Sequence, residues 1–261
     1  MAFGVATELL PVVFGVVFVG GLVVGVAGFG YALVATSALA AVLDPRDAVV
    51  LMIIPLLAAN VSLTRELDRN GLRTCVRRFW PYVLAAVVGT MVGMAILRRV
   101  PTAGLALALG LFTLVYVALA QDRVTVPGRD RFAGWCFRDR PAAKVGLGLV
   151  SGFIFGASNV GVQVVAYLDS LELDRSTFVG VLAMILVGVS GMRVLAAFAL
   201  GLYGTSGLVL LSATAAVPGL VGVGFGRRLR SRIPTRYQTV GVYLLLTVIG
   251  IRLTVAGASG L

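Results

Sequence analysis

The chain has 261 residues, of which 59% are hydrophobic and 13% charged, with a formal net charge of +11 and no histidine. Soluble domains carry about 25% charged residues, and apolar runs near membrane-spanning length recur here from end to end, which excludes a soluble globular protein and points to a polytopic membrane protein. The basic balance reads as loops held at the cytoplasmic face and not as a nucleic-acid surface, and the missing histidines remove the commonest transition-metal ligand and the usual neutral-pH base.

The N-terminal MAFGVATELLPVVFGVVFVG has neither a basic leader nor a small-residue cleavage motif. It reads as the first membrane segment and not as a removable signal peptide. Apolar stretches follow at 9–43, 46–64, 79–97, 102–120, 145–171, 176–200, 204–226 and 237–256. The first and fifth are too long for one crossing: as straight helices they would measure about 52 Å and about 40 Å against a hydrocarbon core of about 30 Å. Over-long apolar stretches with glycine and polar residues in the middle suggest broken or re-entrant elements. Cys75 and Cys136 fall in basic loops and read as reduced and silent.

The same two stretches contain an echo. VGGLVVGVAGFG (19–30) is matched 131 residues later by VSGFIFGASNVG (150–161), with Gly21 over Gly152, Gly25 over Gly156 and Gly30 over Gly161. Leu43-Asp44 is matched by Leu173-Asp174 at a spacing of 130. Small residues alone would allow close helix packing. A helix broken inside a membrane would in addition bare backbone N–H groups at the start of its second half, and with the helix dipole these favour an anion. The breaks fall at Ala27, Gly28, Phe29 and Gly30 in the first copy and at Ala157, Ser158, Asn159, Val160 and Gly161 in the second. Ser158, Asn159 and Gln163 add side-chain donors. Two such half-helices are expected to meet near the midplane and hold one small anion between them.

Loop charge sets the topology. Loops 65–78, 121–144 and 227–236 carry five, six and five basic residues, and 172–175 carries one; loops 44–47, 98–101 and 201–204 carry one, two and none. Eight single crossings would mix these loops on both faces. If the first and fifth stretches enter and return, the basic loops share the cytoplasmic face and both termini lie outside. Each half then has one hairpin and three crossings, so the second half begins on the opposite face. The expected fold is an all-α polytopic membrane protein of two inverted repeats, each a broken glycine-rich hairpin plus three transmembrane helices. The expected bounds are 1–121 for the first repeat, 122–144 for a basic cytoplasmic linker and 145–261 for the second repeat.

Further polar residues lie inside the apolar stretches. Asn60 has Ser190 as its counterpart 130 residues on, and Arg193 follows three residues later. An intramembrane charge is a functional candidate by default, although a snorkelling arginine is the bland alternative; Arg252 reads as snorkelling. No carboxylate pair stands at helical spacing inside the apolar stretches, which gives no support to a carboxylate-built ion relay. No nucleotide-binding phosphate loop is present.

At these residues the chain resembles the TauE/SafE family of sulfite and organosulfonate exporters. The resemblance rests on GLVVGVAGFGYALVATSALAAVLDPRDAVVLMIIP and on GLVSGFIFGASNVGVQVVAYLDSLELDRSTFVGVLAMILVGVSGMR, where Tyr167-Leu168, the loop Glu172 to Arg175, and Arg193 match the family pattern. The first break lacks the proline that often follows it in the family, and Ser158-Asn159 stands where glycine and proline are common. The resemblance implies a secondary transporter for sulfite or an organosulfonate such as sulfoacetate, acting as an exporter in the plasma (inner) membrane by alternating access. The candidate binding residues are Gly28, Phe29, Gly30, Asn60, Ser158, Asn159, Gly161, Gln163, Ser190 and Arg193. No catalytic residue, metal or cofactor is expected. The partners are a small anion and the lipid bilayer, not nucleic acid, with a homodimer left open. The alternatives are an anion channel and a membrane enzyme acting on a lipid phosphate.

Overall fold

A computed structural model describes residues 7–28, 30–66, 69–97, 99–119, 141–159, 164, 168, 175–204, 206–230, 232 and 235–260. Every regular element among them is helical. The α-helices are α1 Leu10–Ala27, α2 Tyr31–Ala40, α3 Pro45–Leu51, α4 Ile53–Leu63, α5 Arg69–Leu97, α6 Thr102–Leu119, α7 Pro141–Ser158, α8 Arg175–Ala199, α9 Ser206–Arg230 and α10 Thr235–Ser259. Among the described residues, Leu10–Ala27, Pro45–Leu63, Phe79–Leu97, Val179–Ala199 and Ser206–Arg230 are each long and apolar enough to cross a bilayer. Leu195, Val217 and Leu244 stand 65%, 63% and 66% exposed, an outward apolar surface suited to lipid. The chain is a polytopic membrane protein.

The first stretch breaks where its glycines predict. Gly28 (φ +87°) ends α1 and donates its N–H to Val24 O at 2.7 Å, and Gly30 (φ +94°) starts α2. Such left-handed angles cost L-residues with a Cβ and are nearly free to glycine. α2 then folds back along α1. A Cβ placed on Gly20 would lie 2.8 Å from the Ala35 Cβ and from the Tyr31 ring. At the end of α1, Arg230 Nε donates to the carbonyls of Gly25 and Val26 at 3.0 and 3.2 Å, placing a cation where the helix dipole is negative.

The crossing expected at 46–64 is a single candidate span, Pro45–Leu63, built from two helices that meet at Met52. Pro55 has no N–H and leaves the Leu51 carbonyl without its helical partner. Ser212 Oγ fills that place from α9, donating to Leu51 O at 2.6 Å. α3 itself starts on Pro45 behind Asp44, whose carboxylate accepts from Arg46 N at 2.8 Å as an N-cap.

Two glycine-lined seams hold the bundle together. In the first, α1 lies on α9: Gly21 faces the carbonyl of Gly219, Gly25 that of Val223, Gly222 that of Phe18 and Gly226 that of Leu22. In the second, α7 lies on α5: Gly152 faces the carbonyl of Ala86, Gly156 that of Thr90, Gly89 that of Leu149 and Gly93 that of Phe153. The second set follows from the first on adding 131 to each α1 position and subtracting 133 from each α9 position. Along both seams the numbers rise together, so the paired helices run parallel. α6 and α10 form a further pair, with Gly110 against Thr254 and Gly250 against Leu114.

Helix directions follow. Arg46 Nη2 donates to Val100 O at 2.8 Å, which joins the first turn of α3 to the turn after α5. α7 runs parallel to α5 and so ends at this Val100 end. The C-terminal part of α8 arrives there too, since Arg193 bonds Asn159. α9 leaves that end and runs to Arg230, with α1 beside it. α1 and α7 therefore point in opposite directions. α7 starts at Pro141 and takes up the last residues of the expected linker; the rest of that linker lies outside the described residues.

Candidate functional site

Arg193 is the largest fully enclosed side chain among the described residues, at 0% exposure. It projects from α8 six residues before Ala199. Its Nη1 donates to Asn159 Oδ1, its Nη2 lies 3.5 Å from Gly156 O, and its guanidinium carbon stands 5.0 Å from the centre of the Phe155 ring. Its Nε has no hydrogen-bond partner among the described residues, and none of their carboxylates pairs with it. Enclosing a cation costs several kcal/mol after relaxation. Two neutral oxygens and an aromatic face offset that only in part.

Asn159 ends α7 as Gly28 ends α1. Its φ is +64°, and its N–H donates to Phe155 O at 2.9 Å. The repeat spacing of 131 lays Asn159 over Gly28 and Phe155 over Val24. Asparagine is among the few non-glycine residues that adopt this conformation readily. Its side chain has three partners. Besides accepting from Arg193, Nδ2 donates to Val49 O at 2.8 Å and to Thr36 Oγ1 at 3.1 Å. Thr36 lies on α2 and Val49 on α3, so one enclosed amide joins the end of α7 to the first part of the chain.

The other candidates are placed as follows. Ser190, one turn before Arg193, is 1% exposed, and its Oγ has no partner among the described residues. Asn60 is 5% exposed, and its Nδ2 likewise has none. Ser158 turns its hydroxyl back to Ile154 O at 2.7 Å. Phe29, Gly161 and Gln163 lie outside the described residues. In the turn after α8, burial pushes the Tyr203 phenol above its ordinary range, and Ser212 and the Arg193 charge draw it partly back.

Each of the two breaks has its own set of contacts. The parallel seams carry α1 toward Arg230 and α7 toward Val100, so Gly28 and Asn159 close helices that run in opposite directions. A Cβ on Gly28 would lie 2.5 Å from Val179 Cγ2, whereas Asn159 bonds Val49; Val179 and Val49 are 130 positions apart. The two places are thus built alike but furnished differently. Asn159 and Arg193 occupy one, and Gly28 and Leu63 hold the matching positions of the other. α2 runs between them, with Thr36 about 9 Å along the helix from Gly30.

Thr36, the Val49 carbonyl and Phe155 belong to the Arg193 centre, and sequence reading passed over all three. Thr36 did offer a signal: it is a hydroxyl within the apolar run GYALVATSALAA. A family model described as "Sulfite exporter TauE/SafE" matches residues 13–253 of the chain. No curated protein and no solved structure matches it.

Proposed function

The chain belongs to the TauE/SafE sulfite exporter family, a family of membrane transporters of sulfur anions, and from that membership we propose that it is a secondary transporter which exports sulfite or an organosulfonate such as sulfoacetate across the plasma membrane by alternating access. The single observation that carries the reading is Arg193, a fully enclosed cation whose only bonded partners among the described residues are neutral oxygens. An oxyanion is the complement such a group lacks, because charge-assisted and bidentate contacts to a guanidinium are stronger than neutral ones. Asn159, Ser190 and Thr36 complete the centre with polar groups.

The proposed architecture is a pair of inverted repeats, 1–121 and 145–261, separated by a basic cytoplasmic segment. The support is the matched glycine seams, the positive φ at both Gly28 and Asn159, and the opposed directions of α1 and α7. In this reading the basic residues at the Arg230 end favour the cytoplasm for that end, with the Arg193 centre toward the outside. The test is flux of sulfite and of sulfoacetate in proteoliposomes. Saturable, protein-dependent flux of one of them is expected, abolished in Arg193→Ala. Flux that rises linearly without saturation would instead indicate a channel, and no flux of either anion would overturn the substrate reading.

A further inference from the structure

Two features of Asn159 do not follow from its place in the backbone. The matching break is made by Gly28, so a left-handed residue is needed at this position but an amide side chain is not. Yet that side chain is 0% exposed and spends three hydrogen bonds in two directions, one to Arg193 and two across to Thr36 and Val49. An amide oxygen directed at a guanidinium occupies the place a substrate oxygen would take. The Nε beside it stays unpaired among the described residues, so the neutral amide satisfies only part of the fork.

We propose that Asn159 is a positioning residue that stands in for the anion: it holds Arg193 while the site is empty, and an arriving oxyanion displaces its oxygen and loosens its amide from Thr36 and Val49. This rests on the anion reading above and adds its coupling. Occupancy of Arg193 and release of the Val100 end become one event, because the same amide serves both. A sulfur oxyanion brings a full negative charge and two or more oxygens, so it engages Nε and Nη together, which the amide cannot do. Phe155 and Tyr203 are the other groups that act on Arg193; neither carries a formal charge, and no carboxylate among the described residues pairs with it.

The experiment uses the full-length protein purified in detergent, with binding of sulfite and of sulfoacetate measured calorimetrically. Asn159→Gly keeps the left-handed turn and removes the stand-in. Thr36→Val removes one of its anchors and serves if the glycine variant misfolds. Both should bind the anion more tightly than the parent, by roughly two- to tenfold for Asn159→Gly, the range of one net hydrogen bond. In a form lacking the native Cys75 and Cys136, a Ser190→Cys thiol should be labelled faster by an impermeant methanethiosulfonate when Asn159→Gly is added, with no anion present. A purely structural role for Asn159 would weaken binding and lower thermal stability together. Weaker binding in Asn159→Gly, or unchanged labelling of Ser190→Cys, overturns the stand-in role. Equal binding by the parent and Arg193→Ala would instead remove the anion reading itself.

Discussion

Ser212 on α9 donates its hydroxyl to the Leu51 carbonyl on α3 at 2.6 Å, although 161 positions separate them. That carbonyl is free because Pro55, four residues on, has no N–H to offer it. A proline in one helix and a serine in another thus form a matched pair, and the enclosed kink between α3 and α4 needs both. Ser212→Ala should destabilise the protein by about 1–3 kcal/mol, the usual cost of orphaning an enclosed acceptor. In a Pro55→Ala background the loss should shrink, because the restored N–H can take the carbonyl. Thermal unfolding of the two single variants and the double variant measures the coupling; strict additivity would break the pairing.

Arg193→Leu places at the centre the residue that Leu63 supplies at the matching position. Replacing an enclosed ion with a well-packed apolar side chain is often neutral or stabilising, so the variant should unfold at or above the parent's temperature. Anion affinity should fall by about tenfold or more, since a charge-assisted contact is worth about 1.5–3 kcal/mol. A thermal-shift titration with sulfite reads both. A variant that keeps the ligand-induced shift would take Arg193 out of the binding centre.

The seams make two chemically identical changes opposite in sign. Gly25→Ala drives a methyl to 2.5 Å from the Val223 carbonyl and should cost about 1–3 kcal/mol. On the same helix Gly15 has nothing within 4 Å of a Cβ among the described residues. Gly15→Ala should therefore be neutral or stabilise by about 0.5–1 kcal/mol. Fluorescence-detected unfolding of the two detergent-solubilised variants gives the comparison, and equal effects would mean that the α1–α9 contact is not close.

The orientation of the halves can be read by chemical labelling in a form without native cysteines. Asp47→Cys should react with an impermeant maleimide in intact cells, and Glu172→Cys only after the membrane is opened. Labelling of both from one side would rule out the inverted arrangement.

Composition, the over-long first and fifth stretches and the glycine echo were enough to anticipate a helical membrane protein broken at Gly28 and Gly30. Those features are local: a positive φ leaves glycine behind, and a bilayer sets a length. Arg193 was legible for a similar reason, since a charge inside an apolar helix stands out against its neighbours. Pro55 reads in the sequence as an ordinary member of the 46–64 stretch, because the serine that takes up the carbonyl it leaves unpaired lies on α9. Thr36 and the Val49 carbonyl were harder still. One is a small hydroxyl without periodic context, the other a backbone atom that every residue carries, and both gain meaning only when α7 ends beside them. The opposed directions of α1 and α7 depend on which helices run parallel, and that is decided by pairing between distant parts of the chain.

The glycine seams also limit how the molecule can move. One clamps α1 to α9 and the other clamps α7 to α5, with backbones too close for a methyl group between them. Neither half is then a free-standing lever. The pieces able to shift as rigid units are composites, α1 with α9 and α5 with α7, each drawn from both sides of residues 120–140. A chain cut within 121–140 and produced as two fragments should still knit into one membrane unit, whereas either fragment alone would display a bare glycine groove with nothing to fill it.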